Sequence, residues 1–131
     1  MTPRDVRDYL LEEGFRAKLD ESEEDCSTIE SADEGLLYQI HFYRPTPPDG
    51  DVDAFESISF STGREYEGEV PLSVLNEYNA RYRFTKIYHQ KGALYLEMDN
   101  IIFPNNLTPD LFEDILGFWT VSLVDFVKIA E

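Results

Sequence analysis

One cysteine, one tryptophan, two histidines and eleven lysine and arginine residues are all that this chain of 131 residues holds of those types. Each scarcity excludes something. Cys26 has no second cysteine, so no intramolecular disulfide forms, and with His41 and His89 it makes no zinc site unless carboxylates join. Against 27 acidic residues the few cations leave a formal charge of -16, a field that repels phosphate backbones and anionic membrane surfaces and favours cationic or neutral partners. The same excess keeps a small protein soluble, which is its plainer reading. No nucleic acid and no membrane is expected as a partner. Nor does any apolar run approach the roughly 18 residues of a membrane span, and "MTPRDVRDYLLEEGF" has no apolar stretch of signal length. A cytoplasmic setting is expected, in which the Asn106-Leu107-Thr108 sequon carries no meaning.

Catalytic signatures are missing as well. There is no His-Glu-x-x-His, no phosphate-binding loop, no G-x-G-x-x-G and no serine or cysteine in an elbow motif. His41 and His89 fall on strand-like stretches as surface side chains, and the acidic tract around Cys26 disfavours its thiolate. No catalytic residue and no cofactor is assigned, and the chain is not expected to be an enzyme.

What is present is core-forming material: 42% of the residues are hydrophobic and 14% aromatic. That suffices for one domain, residues 1–131, burying roughly two thirds of the surface its unfolded chain exposes. Thr2-Pro3 with Asp5 starts a helix whose Val6, Tyr9 and Leu10 recur at helical spacing until Gly14. Phe15, Ala17 and Leu19 alternate as an edge strand, the acidic tract Asp20 to Asp25 reads as a loop, and Ile29 marks a brief strand fragment before a turn at Asp33 to Gly35. "LLYQIHFYR" turns Tyr38, Ile40 and Phe42 to one face, and "FESISFS" does the same with Ile58 and Phe60. Pro71 opens a helix to about Ala80. Two strands joined at Gln90-Lys91-Gly92 follow, the second with Leu94, Leu96 and Met98 inward. "IIFPNN" reads as a loop. Thr108 as N-cap, Pro109 after it and a Leu107 staple to Phe112 start a last helix running nearly to the end. The order α-β-β-β-α-β-β-α with short later connections predicts an α+β fold, a single antiparallel sheet packed against helices.

This order, with "LNEYNARYRFTKIY", "LYLEMDNIIF" and "LFEDILGFWTVSLVDF", resembles the YbjN family of bacterial proteins labelled as sensory transduction regulators. Asn76, Asn79, Arg83, Phe84, Trp119 and Phe126 stand in the places of its motif, and Tyr78 stands where members commonly carry tryptophan. The match covers most of residues 35–131 and is loose before that. The family looks like the type III secretion chaperone fold, whose better-known members are small acidic homodimers that hold an extended segment of a partner polypeptide. The resemblance implies a non-enzymatic, chaperone-like or regulatory protein that binds another protein or peptide, with a homodimer as the expected assembly.

Candidate sites follow from the residues. Asn76 and Asn79 share a helical face where a helix gives way to a strand, so capping that junction is their expected task. Asp49, Asp51 and Asp53 have the spacing of calcium-loop ligands, yet Ala54 replaces the required glycine and Phe60 the closing glutamate, so no metal site is assigned. A small-molecule or metal-binding module using the acidic loops is the contrasting reading of function. In the last helix Phe112, Ile115, Leu116, Trp119, Leu123, Phe126 and Val127 fill a core stripe, while Leu111, Phe118, Val121 and Val124 extend the apolar surface beyond what one sheet covers. Those four are the expected partner-binding residues.

Overall fold

Thr2 caps the first helix reciprocally: its hydroxyl accepts from the Asp5 amide at 3.2 Å while its own amide donates to the Asp5 carboxylate at 2.8 Å. The computed structural model, which describes residues 1–47, 50–102 and 106–131, thus begins with α1, Pro3–Glu12. Four strands follow, β1 (Lys18–Asp20), β2 (Cys26–Asp33), β3 (Leu36–Tyr43) and β4 (Ser57–Glu65). Helix α2 (Leu72–Arg81), the hairpin β5 (Thr85–Gln90) and β6 (Ala93–Ile101), and the long α3 (Pro109–Ala130) complete the order. The fold is α+β, with one wholly antiparallel sheet in the order β1-β2-β3-β4-β6-β5.

Strand β2 is longer than the fragment expected around Ile29, and the reason is chemical. In "CSTIESAD" the inward positions are Ser27, Ile29 and Ser31, all fully buried, so the alternation is carried mostly by hydroxyls and is faint to a hydrophobic reading. Strand β1 begins at Lys18, later than the expected start at Phe15. β4 likewise runs through Thr62 to Glu65, expected as a loop, and pairs there with Leu96 to Ala93 of β6. Gly63 permits this because a Cβ there would meet the Tyr95 ring at 2.9 Å. Two-residue turns close both tight hairpins. Glu34 and Gly35 have φ of 53° and 75°, and Lys91 and Gly92 have 52° and 77°, the doubly positive geometry that matches strand twist.

All three helices lie against the same face of the sheet, α1 over β1 and β2, α3 over β5 and β6. Inward residues Tyr38, Ile40, Phe42, Ile58, Phe60, Leu94, Leu96 and Met98 meet Val6, Leu10, Leu75 and the core stripe of α3. Trp119 lies at the centre, with ring centroids 5.6 Å from Tyr38 and 5.5 Å from Phe60, and Phe112 links Phe60 to Tyr9 of α1. None of the described helices lies over the opposite sheet face. There β4, in mid-sheet, presents Ser57, Ser59, Ser61 and Gly63, and no described helix is long and apolar enough to cross a membrane.

Candidate binding surface

Helix α3 starts as its sequence dictates: Thr108 accepts from the Leu111 amide at 3.1 Å, Pro109 takes the first turn, and Leu107 and Phe112 are both buried. Over 22 residues the helix has two apolar aspects. The core stripe is buried as expected except for Val127, which is half-buried. On the outer aspect Leu111 is 38% exposed, Phe118 52% and Val121 61%, whereas Val124 is half-buried. Two residues from elsewhere join this strip. Phe84, in the link from α2 to β5, is 46% exposed with its ring centroid 4.8 Å from Phe118, and Ile101, the last residue of β6, is 81% exposed. Together Phe84, Ile101, Ile102, Leu111, Asp114 and Phe118 line a groove of about 330 Å³ between α3 and the ends of the β5–β6 hairpin. Ile101 was expected in a connecting loop. The period-two pattern of β6, continued through Asp99, signals that Ile101 points away from the core, but not that it lies beside Phe118.

The two asparagines separate in role. Asn79 Nδ2 donates to the Ile87 carbonyl at 3.0 Å and its Oδ1 accepts from the Ile87 amide at 2.8 Å, so one side chain pairs with β5 as a neighbouring strand would. Asn76 is exposed and makes no side-chain hydrogen bond among the described residues. The junction is also tied to α3. Tyr78 donates to the Ser122 carbonyl at 2.9 Å, Thr85 to the Ser122 hydroxyl at 3.2 Å, and Tyr82 to Asp125, which Arg81 approaches to 3.5 Å. Burial is the main cause that pushes the Tyr78 phenol up to about 12.

On the uncovered sheet face the β2–β3 register sets Thr28 opposite His41 and Cys26 opposite Tyr43. His41 Nδ1 is 3.2 Å from the Thr28 hydroxyl and 3.9 Å from Cys26 Sγ, and its Nε2 is 3.3 Å from the Ser61 hydroxyl. Burial lowers the His41 pKa, against smaller opposing effects of Asp99 and Glu97. Sequence reasoning kept Cys26 and His41 apart. A hairpin register drawn through the Glu34-Gly35 turn finds the pair, but it requires β2 to be recognised as a full strand. His89 differs from expectation: it shares the helix-covered face with Ile87 and sits 3.0 Å from the Tyr66 carbonyl.

The acidic loops are organised by backbone groups. Buried Arg44 donates to the carbonyls of Glu23 and Glu24 and to the Ser27 hydroxyl, so the tract Asp20 to Asp25 is held through its backbone while Asp20, Glu23, Glu24 and Asp25 stay exposed and Glu21 pairs with Arg4. Asp51 accepts from the Asp53 amide at 2.9 Å, and Asp49, the first of the three spaced aspartates, lies outside the described residues. No group of three or more His, Cys, Asp or Glu able to hold a metal occurs among the described residues.

Residues 2–128 match the model of the YbjN family, described as "putative bacterial sensory transduction regulator". The chain belongs to the YbjN family. The match includes α1 and the acidic tract, where motif resemblance alone was loose. No curated protein and no solved structure matches the chain significantly. In this YbjN chain the motif residues divide by environment. Trp119 and Phe126 are fully buried and Asn79 joins α2 to β5, whereas Asn76, Arg83 and Phe84 lie on the surface, with Phe84 at the groove.

Proposed function

We propose that this YbjN protein is a non-enzymatic regulator that works in the cytoplasm by binding another polypeptide, in a chaperone-like manner, through the outer strip of α3. The supporting observation is the joining of Leu111 and Phe118 with Phe84 and Ile101 around one groove, with Val121 one turn beyond Phe118 on α3, every one of them more than a third exposed. A soluble chain rarely leaves large apolar side chains contiguous without a partner to cover them. The family description as a regulator agrees with a protein that acts through contacts.

A photo-crosslinking amino acid at position 118, compared with one at exposed position 67, tests the reading in cells. A polypeptide attached at 118 and absent at 67 is the expected result. Attachment at neither position overturns it. A second copy of the chain is the competing occupant of the strip, and sedimentation of the parent beside Phe118→Glu separates the two cases.

A further inference from the structure

We propose that the groove between α3 and the ends of the β5–β6 hairpin takes an apolar segment flanked by lysine or arginine, supplied by a different polypeptide. The inference rests on the polypeptide-binding reading and names the chemistry of the partner.

Three observations select this occupant. The floor and walls are apolar, with Phe84, Ile101, Leu111 and Phe118 around a volume of about 330 Å³. Asn100 also lines the groove, and its Nδ2 is buried with no hydrogen-bond partner among the described residues. A buried donor in that state is costly, and a polypeptide carbonyl that reaches it once a covering side chain shifts satisfies it where a hydrocarbon chain does not. The third observation is charge. Asp114 is the charged residue among the described residues that line the groove, which include no lysine, arginine or histidine, and Asp110 and Glu113 stand exposed beside it on the first turns of α3. Arg83 lies over the Phe84 ring, 5.4 Å from its centroid, and is outnumbered by Asp110, Glu113 and Asp114 on the first turns of α3. A second copy would bring another chain of charge -16 to an acidic rim, whereas cationic flanks complement it.

The test uses the full chain and two capped synthetic peptides of sixteen residues with identical leucine and phenylalanine positions. One carries lysine at the remaining positions and the other glutamate. Fluorescence anisotropy is expected to show the lysine peptide binding at least tenfold more tightly. Phe118→Ser is expected to weaken it at least tenfold and Asp114→Lys several-fold. Glu12→Lys, the same charge change on α1, is expected to leave it within twofold. Should Phe118→Ser fail to fold, Leu111→Ser carries the same expectation. Binding that survives Phe118→Ser, or that falls equally with Asp114→Lys and Glu12→Lys, overturns the proposal, because diffuse charge alone then explains it. A parent dimer dissociated by Phe118→Ser also overturns it, since a second copy then fills the groove. The position-118 crosslink separates the two readings: an attached segment without lysine or arginine ends this proposal and leaves polypeptide binding intact, and no attached polypeptide ends both.

Discussion

Asn79 uses both halves of its carboxamide on one residue, the Ile87 amide and carbonyl that face away from β6. β5 is the last strand of the sheet, so those groups belong to an edge, and edges left open invite pairing with other chains. Asn79→Ala is expected to cost about 1 to 2 kcal/mol in urea denaturation. Asn79→Asp, which keeps the acceptor and loses the donor, should fall between. An alanine variant as stable as the parent would show that water replaces the amide at no cost. His41 supplies a pH signature. Its pKa is lowered by burial, so the fold favours the neutral ring, and the unfolded chain takes up the proton first as pH falls below the ordinary value of about 6.5. Stability is therefore expected to decline from pH 7.5 to 5.5, and to decline less in His41→Gln. Carboxylates such as Asp5 and Asp20, whose pKa values are lowered by hydrogen bonds, act below that window. Equal slopes for parent and variant would remove His41 from the account.

At the scale of elements, α3 carries both the core and the proposed binding strip, so its start matters to both. Thr108 satisfies one of the amides that a helix N-terminus leaves without an intrahelical partner, and Thr108→Ala is expected to cost about 1 kcal/mol. Because Leu111 and Asp114 lie within the first two turns, fraying there should also weaken the lysine peptide, whereas Thr2→Ala on α1 should not. Circular dichroism melts and the anisotropy titration read the two effects separately. Elements also differ in how openly their sequence announced them. The cap at Thr108, the stripe of α3 and the alternations of β3 and β6 were plain in the residues. β2 was muted because Ser27 and Ser31 take inward places that a hydrophobic pattern assigns to larger side chains.

For the whole molecule the dominant fact is charge. Six ion pairs are present among the described residues, each with its cation at least one third exposed, and such pairs contribute little individually. Repulsion across a surface of net charge -16 outweighs them. Raising salt from 10 mM to 300 mM shortens the screening length from about 30 Å to below 10 Å. The melting temperature should therefore rise with sodium chloride across that range, while affinity for the lysine peptide should fall. A flat or falling melting temperature would mean that attractive pairs balance the repulsion.

The residues by themselves determined the helix starts, the inward set of β3, β4 and β6, the single antiparallel sheet and the family, because capping, alternation and turn chemistry act within a few positions of the chain. Leu111, Phe118 and Val121 were also legible, since an apolar helix face wider than one sheet covers is a property of the helix alone. Tertiary structure decided what lies beside what. Phe84 and Ile101 reach Phe118's side of the molecule only through the packing of α3 against the hairpin, and Cys26 meets His41 only through the β2–β3 register. Asn79 and Ile87 stand eight residues apart along the chain, and the path from α2 into β5 turns that separation into two hydrogen bonds. Local chemistry fixes elements; their docking, which depends on the whole core, fixes the surface that a partner would meet.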